Sequence, residues 1–379
     1  MEEINRLEAI AVPVAARVGD LVASIDTPGL ILDLDAFEEN LRKMQALAER
    51  HGVALRPHAK AHKCPDIALR QIALGAQGIC CEKVSEAIPF LAAGVRDIHI
   101  GTEVVGAGKL ALLARMAGKA RFTVCADHPR AVEALSAAMA EHRASIGVFI
   151  EVDIGQKRCG VQSHDEAVAL ARLILRLPNL EFSGIQARHG GLKLAASLRR
   201  REKSSLKAAR LIRRYLRALE QADIECPRVT GGATESAVFD VANGAYTEIQ
   251  AGAYAFMDAD YARIDWGEAL SFRHSLFLLA TVTSVPEADR AVLDAGVKSM
   301  GAASSPAFAE NPGWRCVAVT GEHSVLRARN PRALPPLGAQ IRLVPGQCGL
   351  TFNLHDAVIA VRGQHVEAIW PISARGLSR

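Results

Sequence analysis

The sequence predicts a fold of the α/β class, a (β/α)8 TIM-type barrel followed by a smaller all-β domain. Short apolar runs alternate with amphipathic stretches eight times over about 220 residues. The pattern then changes to short apolar runs without long helical periods between them. Eight alternations favour a closed barrel over an open, doubly wound sheet, which is the alternative for such a pattern.

The barrel prediction depends on eight candidate strands. They cover residues 29–32, 53–57, 78–81, 97–100, 122–125, 146–152, 181–186 and 227–230. Each of the first seven precedes a stretch with helical periodicity, and these stretches cover residues 35–49, 66–74, 84–93, 109–116, 131–142, 166–177 and 198–222. Asp35 is a candidate N-cap for the first predicted helix.

Short candidate strands separated by Gly, Pro and Asn follow from about residue 270. They cover residues 275–285, 291–295, 316–320, 340–344, 357–361 and 367–370. We therefore expect a cofactor-binding barrel in residues 26–268, and a β-domain formed by residues 1–25 together with 269–379.

Composition excludes several classes of protein. Half of the 379 residues are hydrophobic and 23% are charged, which is typical of a globular protein and not of a disordered chain, a collagen or a coiled coil. A net charge of +4 and an aromatic content of 5% argue against nucleic-acid binding. The N-terminus has no signal-peptide pattern, no apolar run is long enough to span a membrane, and the eight scattered cysteines fit a reducing compartment. We expect a cytoplasmic protein without nucleic-acid or membrane partners.

Chemistry-bearing residues follow the carboxyl ends of the predicted strands, where the active sites of such barrels lie. Lys60 follows the second strand in the segment Arg56-Pro57-His58-Ala59-Lys60, and a lysine there can form a Schiff base with a carbonyl group. Most lysines are instead solvated surface charges. The Gly231-Gly232 turn exposes N–H groups that can bind a phosphate, although such turns often have no ligand. Together with Arg158, which could tune a ring, these groups suggest pyridoxal phosphate.

Several motifs occur in a recognisable order along residues 25–365. They are residues 56–60 (RPHAK), 83–87 (KVSEA), 153–161, 246–250 (YTEIQ), 252–261 (GAYAFMDADY), 293–296 (LDAG) and 345–348 (PGQC). With them the chain resembles the D-threonine aldolase and D-serine dehydratase family, which includes 3-hydroxy-D-aspartate aldolase-like proteins. These are fold-type III pyridoxal phosphate enzymes related to alanine racemase.

The resemblance implies a set of roles and an activity. Lys60 would hold pyridoxal 5'-phosphate covalently, Arg158 would lie near its ring, and the phosphate would be surrounded by Gly231, Gly232, Gly252, Ala253 and Tyr254. A homodimer is implied, because in these folds the site lies between one subunit's barrel and its partner's β-domain. The implied enzyme is a lyase for a β-hydroxy D-amino acid, acting by retro-aldol cleavage to glycine and an aldehyde or by loss of water.

The chain departs from the family at its metal-binding turn. That turn typically reads Pro-x-His-Cys-Asp, or a His-x-Cys variant, where this chain has Pro345-Gly346-Gln347-Cys348-Gly349. Gly349 has no ligand atom, and the amide of Gln347 is a weak ligand. We expect Cys348 to be a small buried side chain, His355 to lie on a strand approach, Gln347 to contact substrate, and no divalent metal to be bound.

A second departure is Arg188, which stands where the family usually has a tyrosine. Its permanent charge and two-pronged guanidinium would suit a carboxylate or phosphonate of an acidic substrate. Alternatively, Arg188 turns outward or braces a loop.

Without a metal, a base must take the β-hydroxyl proton. We expect His189 in this role, with His62 and His323 as further candidates, although His189 is about as well explained as a core or loop-bracing residue. Racemisation and aldol-type transfer onto Cα need no such base and stay open. A non-catalytic pyridoxal phosphate-binding protein also stays open, but a β-domain of about 100 residues beyond the barrel favours an enzyme.

Overall fold

The computed structural model describes residues 14–188, 197–267, 270–301 and 307–379. In chain order its strands are β1 (Gly29–Asp33), β2 (Ala54–Leu55), β3 (Ile79–Cys81), β4 (Asp97–Glu103), β5 (Arg121–Ala126), β6 (Ile146–Glu151), β7 (Leu180–Ala187), β8 (Val229–Gly231), β9 (Glu248–Ile249), β10 (Leu276–Glu287), β11 (Arg290–Leu293), β12 (Phe308–Ala309), β13 (Trp314–Val319), β14 (Ser324–Ala328), β15 (Gln340–Val344), β16 (Ala357–Arg362) and β17 (His365–Pro371). The α-helices are α1 (Leu34–Arg50), α2 (Pro65–Ala73), α3 (Ala87–Ala92), α4 (Ala107–Ala117), α5 (Pro129–Glu141), α6 (His164–Arg176), α7 (Leu198–Gln221), α8 (Ala237–Ala242) and α9 (Cys348–Phe352). Within these described ranges no helix has the length and apolar character that a membrane span requires.

Strands β2 to β9 form a parallel, eight-stranded sheet in the order β2-β9-β8-β7-β6-β5-β4-β3. A parallel bridge between His58 and Cys80 joins the chain after β2 to β3, so the sheet closes on itself. Strand β6 is buried along its whole length, as expected for a parallel strand covered on both faces. The predicted α/β barrel with a C-terminal β-domain is confirmed.

The first predicted barrel strand, residues 29–32, lies in the β-domain sheet instead of the barrel. Strand β1 pairs antiparallel with β10 and parallel with β16, both in the β-domain. The eighth barrel strand is β9, which pairs with β8 and β2. An apolar run buried on both faces looks the same in either sheet, and β9 is only two residues long, so periodicity could not distinguish the two cases.

The β-domain is a nine-stranded sheet with the path β13-β14-β11-β10-β1-β16-β17, to which β15 and β12 are added beside β10. Helix α1 leaves this sheet directly after β1, and its N-cap is Asp33 instead of the expected Asp35. The Asp33 carboxylate accepts a hydrogen bond from the Ala36 N–H at 3.0 Å. One hydrophobic core joins the two units, since Trp370 and Phe352 of the β-domain pack in the same cluster as the barrel residues. This shared core fixes the turn at residues 345–349 against the barrel.

Candidate active site

A cavity of about 590 Å³ lies at the carboxyl end of the barrel strands, beside the β-domain turn. Its wall includes residues that follow β2, β3 and β7 and residues of the turn: His58, Lys60, Glu82, Arg188, Gln347 and Gly349. This is the end of the barrel at which catalytic groups gather in such folds. Three of the residues singled out in the sequence, Lys60, Arg188 and Gln347, are therefore brought together.

Lys60 lies in a short 3-10 turn that follows β2. Its Nζ atom is 2.8 Å from Oε2 of Glu82. Burial and the positive charge of Arg188 lower the pKa of Lys60, while Glu82 opposes them. A lysine with a lowered pKa has more of the neutral amine that attacks a carbonyl carbon.

His58 and Glu82 are site residues that the sequence reasoning missed. The His58 Nε2 atom lies 3.0 Å from the same Glu82 oxygen that binds Lys60. Burial lowers the pKa of His58, so its ring is neutral. Burial would raise the pKa of Glu82, but its contacts with His58 and Lys60 hold that pKa well below its usual range. A signal existed, since His58 precedes Lys60 by two residues and Glu82 follows the last residue of β3.

A glycine-rich cradle forms part of the cavity wall, where Thr234, Gly252 and Ala253 line it. The Thr234 hydroxyl accepts hydrogen bonds from the N–H groups of Gly252 and Tyr254, at 3.3 and 3.2 Å. A Cβ atom on Gly252 would lie 2.8 Å from the carbonyl oxygen of His58, so only glycine fits there. Gly232 has φ +69°, and its Cβ would lie 2.9 Å from an oxygen of Asp240. Close contacts with other protein atoms therefore require glycine at both turns.

Not every predicted phosphate-binding residue reaches the cavity with its side chain. Gly252 and Ala253 line it, together with Thr234. The Tyr254 ring is buried elsewhere, and its hydroxyl accepts a hydrogen bond from Gln71 at 3.1 Å. Gly231 is the last residue of β8 and is not among the residues that line the cavity.

Arg188 follows β7 directly and places its charge in the cavity. The carboxylates of the wall already have other partners. Glu82 contacts Lys60, Glu86 contacts Lys63 at 3.1 Å, and Glu235 accepts a hydrogen bond from the Tyr261 hydroxyl at 3.1 Å. The arrangement leaves the Arg188 guanidinium suited to an anionic ligand.

Two predicted residues lie away from the cavity. His62 is fully buried between the rings of Phe90, Phe256 and Phe352, and burial lowers its pKa to about 3. A neutral ring inside this apolar core does not line the cavity, so the geometry does not favour His62 as a catalytic base. Arg158 is exposed on the loop after β6 and is absent from the cavity wall. The role expected for Arg158 beside a cofactor ring stays a prediction.

Among the described residues, the other candidate histidines do not line the cavity. His189 lies outside the described residues. His323 is exposed on a β-domain turn, where its carbonyl oxygen accepts a hydrogen bond from the Thr320 N–H at 2.8 Å. His355 has its Nε2 atom 2.6 Å from the Ser299 carbonyl oxygen, so it is turned away from the cavity.

The β-domain turn carries Gln347 and Gly349 into the cavity wall. The Gln347 side chain caps α9, accepting a hydrogen bond from the Leu350 N–H at 2.9 Å. Cys348 is buried and donates its N–H to Asp258 at 2.9 Å. Among the described residues, no three or more His, Cys, Asp or Glu side chains are grouped as a metal ion would require.

Comparisons with known proteins agree with this geometry. The family described as "Alanine racemase, N-terminal domain" matches residues 32–260, and the "Putative serine dehydratase domain" matches residues 275–361. A D-threonine aldolase of Arthrobacter sp is 52% identical over 374 residues, which cover 98% of this chain and 99% of that protein. A 3-hydroxy-D-aspartate aldolase of Paracoccus denitrificans (strain Pd 1222) is 38% identical over 365 residues, 93% of each chain.

Solved structures show the same architecture. The D-threonine aldolase from Filomicrobium marinum superposes with a TM-score of 0.94 at 43% identity, covering 96% of this chain and 100% of that chain. The D-threo-3-hydroxyaspartate dehydratase from Delftia sp. HT23 has a TM-score of 0.83 at 24% identity, covering 93% and 98%, which supports the fold alone.

Proposed function

Because the chain belongs to the D-threonine aldolase family, as its motifs predicted, we propose that it is a pyridoxal phosphate-dependent lyase that cleaves β-hydroxy D-amino acids. The observation that carries this proposal is Lys60, a lysine with a lowered pKa in a strand-end cavity beside a glycine-rich cradle. The racemase, transferase and non-catalytic alternatives are not favoured, because the full-length relatives are named as aldolases.

The residues of the cavity fit the cofactor. Lys60 would hold it through the Nζ atom, and Gly231, Gly232, Gly252, Ala253 and Tyr254 would surround its phosphate, as the family implies. Gly252 and Ala253 line the cavity together with Thr234, whose hydroxyl organises this turn by accepting from the N–H groups of Gly252 and Tyr254. When bound, the cofactor supplies an electron sink for the negative charge left at Cα.

We further propose that Arg188 binds an acidic substrate group. Arg188 is a cation in the cavity wall, and the wall carboxylates Glu82 and Glu86 are already paired with Lys60 and Lys63. A relative at 38% identity is named for 3-hydroxy-D-aspartate, a substrate with a second carboxylate. The Gln347 amide, which uses its oxygen to cap α9, keeps its N–H groups as donors for the substrate.

The β-hydroxyl proton needs an acceptor. We propose His189, which follows Arg188 directly in the sequence, in a site that requires no divalent metal. The chemistry of Gln347 and Gly349 supports metal independence, because neither supplies a strong ligand.

We propose that the protein acts as a homodimer, as its family implies. We also propose that it acts in the cytoplasm, where its eight free cysteines would stay reduced.

The experiment is to find which lysine binds the cofactor and which products form. Borohydride reduction of the loaded protein, followed by peptide mapping, should place the pyridoxyl label on Lys60. Lys63 and Lys83 also line the cavity and serve as internal controls, so a label on either would contradict the assignment. Glycine and an aldehyde from D-threonine or 3-hydroxy-D-aspartate would support an aldolase, whereas ammonia and a 2-oxo acid would indicate a dehydratase.

A further inference from the structure

We propose that Glu82 is the positioning residue of Lys60, and that its carboxylate sets both the place and the charge of the Nζ atom that would bond to a carbonyl carbon. One oxygen, Glu82 Oε2, lies 2.8 Å from Lys60 Nζ and 3.0 Å from His58 Nε2. The Nζ atom needs this placement only if Lys60 binds the cofactor covalently, so this role of Glu82 rests on the proposed function.

Barrel closure sets the geometry of the three residues. The bridge between His58 and Cys80 is reinforced by the Cys80 N–H, which donates to the Pro57 carbonyl oxygen at 2.9 Å. Glu82 follows Cys80 by two residues and therefore leaves β3 on the side of His58 and Lys60. The N–H groups of Glu82 and Lys83 both donate to the Glu86 carboxylate, at 3.2 and 3.1 Å, which fixes the backbone at this point.

Lys60 lies between charges of opposite sign. Burial and Arg188 lower its pKa, while Glu82 and the nearby Cys80 thiol raise it. Glu82 in turn faces the side chains of His58 and Lys60, which stabilise its ionised form. Glu82 and Arg188 therefore shift the pKa of Lys60 in opposite directions.

Glu82 acts on Lys60 as a fixed negative charge. The Lys60 ammonium donates to Glu82 Oε2 across 2.8 Å, which holds the Nζ atom at one place in the cavity wall. Burial keeps His58 neutral, so its Nε2 atom, 3.0 Å from the same oxygen, adds no positive charge beside Lys60. Glu82 therefore fixes the position of the amine and favours its charged form.

The test measures the pKa of Lys60 in the full-length chain after the cofactor has been removed with hydroxylamine. Competitive acetylation across a pH series, read lysine by lysine by mass spectrometry, gives this value without any activity assay. Glu82→Gln should lower the pKa of Lys60 by about one unit or more, and Arg188→Leu should raise it by a comparable amount. Two shifts of opposite sign cannot come from general loosening of the fold.

Glu235→Gln is the matched control, because Glu235 lines the same cavity but accepts its hydrogen bond from the Tyr261 hydroxyl, at 3.1 Å. It should leave the titration of Lys60 in place. The proposal is overturned if Lys60 titrates alike in the parent chain and in Glu82→Gln, or if both Glu82→Gln and Arg188→Leu move it in one direction. The result is independent of the borohydride mapping, so failure of the proposed function and failure of the Glu82 role are separable.

Discussion

At the residue scale, the proposed preference for an acidic substrate depends on Arg188. We predict that Arg188→Tyr loses about 10- to 100-fold more kcat/KM on 3-hydroxy-D-aspartate than on D-threonine, because a hydrogen bond to a charged group contributes about 1.5–3 kcal/mol. Steady-state assays on both substrates check this difference.

The control for this prediction is Arg172→Tyr. Arg172 is exposed on α6 and lies outside the cavity wall. It should change neither kcat/KM. Equal losses on the two substrates in Arg188→Tyr would assign Arg188 a structural role instead.

A second prediction at this scale concerns Glu151, a buried residue at the end of β6. Burial and the nearby Glu103 raise its pKa to about 8, although a hydrogen bond from Gln186 opposes them. The folded state keeps this proton between about pH 4.5 and 8, whereas the unfolded chain releases it. Ionisation therefore favours unfolding, and the stability contribution of Glu151 is lost as pH rises through this window.

Glu151→Gln should remove that dependence while keeping an acceptor for Gln186. Between pH 5 and pH 8, its free energy of unfolding should fall by about 3 kcal/mol less than that of the parent chain. Urea denaturation at a series of pH values measures the difference. Glu181→Gln, which changes an exposed carboxylate on the adjacent strand β7, should follow the parent curve. Parallel curves for the parent chain and Glu151→Gln would show that Glu151 is ionised when folded.

At the element scale, the last residues of the chain form part of the cavity wall. Ser378 lines the cavity, and its hydroxyl accepts a hydrogen bond from Lys63 Nζ at 3.3 Å. Ser85 anchors the segment, donating its hydroxyl to the Leu377 carbonyl oxygen at 2.8 Å and its N–H to the Arg379 carbonyl oxygen at 3.2 Å. The segment therefore closes one side of the site without belonging to either sheet.

Removing residues 376–379 should raise KM about tenfold, because Lys63 loses its contact with Ser378 and the cavity loses part of its wall. The unfolding transition should change little, since only a few hydrogen bonds of about 1 kcal/mol each anchor the segment. Ser85→Ala keeps the full length but weakens the anchor, so it should show a smaller rise in KM. Steady-state kinetics and thermal unfolding measure both. An unchanged KM in the shortened chain would show that the segment does not contact substrate.

The strands show which elements the hydrophobic periodicity of the sequence can predict. The sequence placed β2 to β8 close to their observed positions, since their apolar runs alternate with helical periods. It could not assign β1 to its sheet, and it did not predict β9. Strand β1 has the same apolar signature as a barrel strand, and β9 spans only Glu248 and Ile249, so their sheets are decided by pairing partners far away in the chain.

For the whole molecule, we predict activity without a divalent metal. Treatment with EDTA followed by dialysis should leave the rate unchanged, and elemental analysis should find no stoichiometric Mn²⁺, Mg²⁺ or Zn²⁺. The physical reason is the weak amide of Gln347 and the absent side chain of Gly349 at the two expected ligand positions.

The matched variant for this prediction restores both ligands, Gln347→His with Gly349→Asp. It should bind metal and become sensitive to EDTA if the turn has kept its position. Activity of the parent chain that disappears with EDTA and returns with added metal would contradict the prediction.

The sequence by itself determined the fold class, the family, and the presence of Lys60 and Arg188 at strand ends. These follow from local patterns and residue identities, which need no knowledge of neighbours in space. Only the tertiary structure decided that Lys60 and His58 contact the same Glu82 oxygen, that His62 is packed between phenylalanine rings, and that Arg158 is exposed. Burial and charge act through space, so the ionisation and contacts of a side chain depend on residues that the sequence alone does not bring together.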